Sequence, residues 1–128
     1  MLVVNYIVFV FNKDINDKDF ALVEARDAYF SKNGTALVEN EIVFSELELL
    51  KDSSVEIMDI INEHNDSMIG LDEDDIIYSN EIKQRCLASI KAFCDKNTCS
   101  SKIHRLIELL DWAIDHDKNV YFLTQYLK

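Results

Sequence analysis

Residues 2–11, LVVNYIVFVF, are an almost unbroken apolar run rich in β-branched and aromatic side chains. A run without polar alternation suits a strand covered on both faces, so it predicts a central strand. Residues 120–123, VYFL, predict a second strand, although a terminal helix also fits. Between these two runs the apolar spacing changes to three and four, the helical period. Asp17 caps a helix predicted to reach about residue 32, with Phe20, Ala21, Val23, Ala25, Ala28 and Tyr29 as its buried face. Asp19 near its start and Lys32 near its end agree with the helix dipole. Asn33-Gly34 is expected to supply a left-handed stop. Residues 35–44 fit either a hairpin or one irregular strand.

The next elements carry clear start signals. Ser45 and Glu48 form a capping box for a short helix ending near residue 51. Ser53 or Ser54 caps a helix over 55–64, with Val55, Ile57, Met58, Ile60 and Ile61 facing inward. Residues 65–75 read as a loop, and 76–78 as a short strand or a core anchor. Ser79 or Asn80 opens a helix to about residue 96. Its stripe is Ile82, Cys86, Ile90 and Phe93, helped by Leu87 and Cys94, with Lys83, Arg85 and Lys91 around it. Ser100 or Ser101 caps a last long helix to about residue 116. There Ile103, Leu106, Ile107, Leu110, Ala113 and Ile114 keep the core spacing without a miss. The short link at 97–100 makes these two helices antiparallel neighbours.

The expected fold class is therefore α+β. A small sheet contains the N-terminal and C-terminal strands, with 35–44 as a further candidate strand, and packs with four to five helices. With 128 residues, 48% of them apolar and 13 aromatic, one globular domain with a real core is expected over 1–128.

Charge changes the picture. Residues 46–75 hold eleven acids against Lys51, a net of −10, whereas residues 1–45 carry −3 and residues 76–128 carry +2. Nearly all of the formal −11 thus sits in one central quarter. Asp52, Glu56, Asp59 and Glu63 step by four, three and four, so they line the outer face of one helix. Like charges at that spacing oppose the helix by a few tenths of a kcal/mol each. Asp72, Glu73, Asp74 and Asp75 follow in the loop. A chain this acidic lacks the basic footprint of a DNA or RNA binder and suits a soluble protein with a solvated acidic face, or one that meets a basic partner.

Other chemistry is weighed against its structural alternative. The 72–75 run lacks the alternating ligands, internal glycine and distant glutamate of a calcium loop. Carboxylates on a wet helix face do not form the cleft pair of a glycosidase. Cys86, Cys94, Cys99 and His104 have no C-x-x-C knuckle, and two of the cysteines fall on a core stripe. Cys86 and Cys94 are expected to be buried, reduced and metal-free, while Cys99, near a helix start, is the oxidisable one. His64 and His116 sit at helix C-termini, where imidazolium suits the dipole. Trp112 is a core-edge residue or a contact anchor. With two glycines and no proline, phosphate-cradling glycine loops are excluded. The apolar start lacks a basic n-region and a cleavage site, and its ten residues are too few to cross a bilayer as a helix. No enzyme activity, cofactor, metal, nucleic acid or membrane is expected.

In size, charge and the acidic helix-and-loop arrangement from Asp52 to Asp75, the chain resembles bacterial immunity proteins that neutralise nuclease toxins, including those of contact-dependent growth inhibition. The resemblance implies a cytoplasmic toxin inhibitor whose partner is a basic protein surface, the cognate toxin domain. Asp52, Glu56, Asp59, Glu63, Asp72, Glu73, Asp74 and Asp75 would form the contact. An acidic accessory or regulatory protein-binding domain, or a nucleic-acid mimic, is the alternative.

Overall fold

The computed structural model describes residues 3–11, 22–49, 54–67 and 74–127. The apolar N-terminal run is strand β1, Val3–Phe11, and it lies inside a four-stranded sheet. Its neighbours are β2, Val38–Ser45, and β4, Val120–Leu127, both antiparallel to it. Ile7 pairs with Val43 on one side and Leu123 on the other. β3, Asp75–Ile77, adds to the far edge of β4, so the order is β2-β1-β4-β3. Region 35–44 thus resolves into a 3-10 turn, Gly34–Leu37, followed by a single strand.

Both faces of β1 are buried, which is why its sequence shows no alternation. Tyr6, Val8 and Val10 join the larger core, with Ile42 and Phe44 of β2 and Val120 and Phe122 of β4. That face is covered by α3, Ser54–Asn65, α4, Asn80–Lys96, and α5, Ser101–Asp115. Ile7, Phe9 and Phe11 point the other way, into a smaller cluster with Tyr121, Leu123, Ala25 and Tyr29. Phe9 stacks on Tyr121 at 5.3 Å between ring centroids. Ala25 and Tyr29 belong to α1, Leu22–Phe30. The earlier part of that predicted helix, residues 17–21, lies outside the described residues. Val23, expected on the buried face, is 68% exposed.

The serine caps form as the sequence signals. Ser79 Oγ accepts from Ile82 N and Ser100 Oγ from Ile103 N. The capping box is reciprocal: Glu48 N donates to Ser45 Oγ at 3.2 Å, and Ser45 N donates to Glu48 Oε1 at 2.9 Å. It opens α2, Glu46–Leu49.

The helix stops differ from expectation. No described glycine has positive φ, so Gly34 is not a left-handed cap. A Cβ there would collide with the carbonyl oxygens of Ala28 and Tyr29, so glycine is needed for close approach to the end of α1. The left-handed positions are Asp66, φ 49°, and Asp117, φ 54°. Each is followed by the reach-back bond of a Schellman stop, Ser67 N to Asn62 O and Lys118 N to Ala113 O.

Side chains occupy main-chain groups on the outer edge of β2 and on β4 where it runs past the short β3. On β2, Lys102 Nζ donates to Val43 O at 2.6 Å and Arg105 Nη2 to Glu41 O at 2.9 Å. On β4, beyond β3, Arg26 Nη2 donates to Thr124 O, and Asp74 Oδ1 accepts from Thr124 N at 2.7 Å. Arg26 and Asp74 are themselves paired at 3.0 Å.

Candidate functional site

α3 carries the acidic row. Ile57, Met58 and Ile61 anchor it to the core, which leaves Glu56, Asp59 and Glu63 exposed on the opposite side. None of these three has an ion pair or hydrogen bond to another described residue. Val55, expected inward, is 46% exposed beside the row: four residues before Asp59, it shares that residue's outer face. The C-terminal end of α3 is fixed at two points. His64 Nε2 lies 2.9 Å from Ser89 Oγ of α4, and Asn65 Nδ2 donates to Ile76 O at 3.1 Å. The row is therefore held on a docked helix.

The other site residues separate from it. Asp52, Asp72 and Glu73 lie outside the described residues. Asp74 is spent on the β4 edge, bridging Arg26 and the Thr124 amide. Asp75 begins β3, and its Oδ1 accepts from Ile76 N at 2.8 Å. The structure thus brings together Glu56, Asp59 and Glu63 and gives Asp74 and Asp75 local structural duties.

Sequence reasoning missed a second set. Glu108, Asp111 and Asp115 are exposed along α5, stepping by three and four, the same signal that marks α3. Asp111 and Asp115 approach the C-terminal end of the helix, where the dipole disfavours anions. Trp112 beside them is half-buried, packs against the larger core, and stacks on His116 at 4.2 Å. His116 Nδ1 lies 2.8 Å from Trp112 O, the carbonyl-capping role expected at a helix end.

The cations behave differently from the acids. Lys83, read as a residue around the α4 stripe, is fully buried. Its Nζ donates to Asn80 Oδ1 at 3.0 Å and to Lys118 O. The spacing Lys83, Cys86, Leu87, Ile90 places it on the core stripe, a position overlooked because of its charge. Arg26, Lys83, Lys102 and Arg105 all donate to main-chain carbonyls. Lys102 also bonds Glu48 at 2.6 Å, and this contact, with Ser45, holds the Glu48 carboxyl below the usual carboxylate range. Tyr29 donates to Glu41 Oε2 at 2.7 Å. Burial first, then that carboxylate, raises the tyrosine hydroxyl well above its ordinary value.

The cysteines need correction. Cys94 is half-buried and joined in a disulfide to Cys99, with 5.6 Å between their Cα atoms, instead of being a buried free thiol. The two residues flank the α4–α5 connection, so the turn brings them together, a contact that spacing along one helix does not reveal. Cys86 is buried and free as expected, and burial pushes its thiol up to about 11. No group of three metal-ligating side chains converges among the described residues. A cleft of about 340 Å³ is lined by Lys91, Cys94, Asp95, His104 and Ile107.

Fold and surface together define a small α+β domain whose outward helical faces present unpaired carboxylates. No family model matches the chain, and no curated protein or solved structure matches it.

Proposed function

We propose that the protein is a cytoplasmic immunity protein that binds a nuclease toxin domain and covers its basic surface. The observation that carries this reading is the unpaired row Glu56, Asp59, Glu63 on a helix docked by its opposite face. Nuclease sites hold phosphates and are basic, so a fixed line of carboxylates is complementary to them. Charge of this kind raises association rates more than it deepens affinity, which suits an inhibitor that must arrive first. Arg26, Lys83, Lys102 and Arg105 are engaged with main-chain carbonyls, and none of them pairs with the row. Among the described residues no helix is long and apolar enough to cross a membrane.

The test begins with capture of the partner from the source cell on immobilised protein. The captured domain is then assayed for nuclease activity with and without an equimolar amount of the protein. Association rates are measured against ionic strength for wild type and Glu56→Lys/Asp59→Lys. The double reversal slows association by on the order of tenfold at low salt, and the gap closes as salt rises. Folding stays within about 0.5 kcal/mol of wild type, as surface changes usually do. Glu108→Lys/Asp111→Lys makes the same charge change on α5 and serves as the control. Equal slowing by both variants would assign the effect to net charge, and equal, salt-insensitive rates in all three proteins would remove the row from the interface. A captured domain whose nuclease activity is untouched would remove the toxin from the proposal.

A further inference from the structure

We propose that Cys94 and Cys99 are a redox-active pair, opened by small anionic thiols that reach Cys94 through the adjoining cleft. The proposal is independent of the partner-binding row. It rests on three placements. The first is access: Cys94 lies in the wall of the cleft, and residues 95–98 between the two cysteines are all exposed. The second is the character of the wall: Lys91 and His104 share it, with Asp95 as the one acidic lining residue, so a thiol carrying carboxylates finds an ammonium and an imidazole in the cleft. The third is polarity. Cys94 occupies the last turn of α4, the negative end of a helix dipole, whereas Cys99 directly precedes Ser100, the N-cap of α5, at a positive end.

That polarity sets the direction of exchange. A small thiolate attacks the Cys94 sulfur and forms a new S–S bond there. The Cys94–Cys99 bond breaks, and its electron pair leaves on Cys99, whose thiolate is favoured by the start of α5. A second small thiolate then attacks the small molecule's sulfur in the mixed disulfide. Cys94 departs as a thiolate, and the two protein thiolates take up the two protons the small thiols released. Two small thiols become one small disulfide while the protein gains two thiols, so atoms, protons and electrons balance. Cys86, buried in the core with a thiol pushed up to about 11, takes no part.

The probe is glutathione. The folded protein is equilibrated in mixtures of its reduced and oxidised forms, quenched by acid and alkylation, and mapped by peptide mass. Cys94 and Cys99 are expected to become alkylated together as the mixture grows more reducing. The transient glutathione adduct maps to Cys94. Cys99→Ser accumulates that adduct, whereas Cys94→Ser gives several-fold less on Cys99. Lys91→Ala/His104→Ala slows opening by glutathione but not by neutral 2-mercaptoethanol, a readout that a loss of folding would not produce. Two freely alkylated thiols at 94 and 99 in fully oxidised buffer would overturn the pair. An adduct divided equally between them would overturn the direction, and equal slowing with both thiols would overturn the role of the cleft.

Discussion

Replacing Lys83 by methionine isolates what a fully buried ammonium contributes to this fold. The side chain has no exposed surface, and its Nζ joins the first turn of α4 to the α5–β4 connection through Asn80 Oδ1 and Lys118 O. The neighbouring bond from Asn80 Nδ2 to Asp117 Oδ1, 3.0 Å, ties the same two segments. Methionine fills nearly the same volume, so packing changes little. Two terms then oppose each other. Losing the charge relieves a desolvation cost of several kcal/mol, roughly matched in the native state by the lost charged hydrogen bonds. The Lys118 carbonyl loses the ammonium as a donor, at about 1–3 kcal/mol. We expect Lys83→Met to destabilise by about 2 kcal/mol. Lys83→Ala removes three further methylenes at about 0.8 kcal/mol each, for a total near 4–5 kcal/mol. Urea denaturation followed by fluorescence and circular dichroism gives both values from midpoint shifts at constant slope. A methionine variant as stable as wild type, or more so, would refute the reasoning, because the ammonium would then be a net cost in the core.

Further outcomes follow from the edges, the stops and the buried hydroxyl. Asp74→Ala removes the acceptor of the Thr124 amide, costing about 1–2 kcal/mol and speeding hydrogen exchange at that amide; unchanged exchange would show the β4 edge protected by other means. Asp66→Gly relieves a left-handed aspartate at an exposed helix stop and raises stability by about 0.5–1 kcal/mol, read from the denaturation midpoint. The Tyr29 hydroxyl is raised in the folded state, so its contribution is complete below the ordinary tyrosine value of about 10 and is lost as pH climbs beyond it, when the unfolded chain ionises first. Tyr29→Phe flattens that alkaline decline in a series of urea melts, and an identical decline in the variant would locate its source elsewhere.

What the sequence made legible were elements whose local pattern and tertiary fate agree. β1 lacks alternation because clusters press on both its faces, and α5 keeps its stripe because Ile103, Leu106, Leu110 and Ala113 all reach the larger core. Ser79, Ser100 and the Ser45–Glu48 box act within a few residues of themselves, so nothing distant overrides them. The row Glu56, Asp59, Glu63 was readable for the same reason. Asp74 was not, since an acid in a loop is committed by whichever strand edge lies beside it, here the amide of Thr124. Lys83 was misjudged by residue type where position was the better guide. Gly34 was read as a conformational stop, but its requirement is space against the carbonyls of α1. Strand order and the Cys94–Cys99 pairing depend on how the chain returns on itself, which no local period encodes.

The plugs on the sheet edges bear on how this chain can associate. An open β-edge is a template on which another chain can polymerise. Lys102 and Arg105 occupy carbonyls of β2 that would receive an incoming strand, and Arg26 with Asp74 occupies both main-chain groups of Thr124 on β4. Strand addition at those positions requires breaking a charge-assisted bond first. Contact through the backbone is thereby opposed at these positions, and what the molecule offers to its surroundings is the side chains of its helices, each of which can change without opening the sheet.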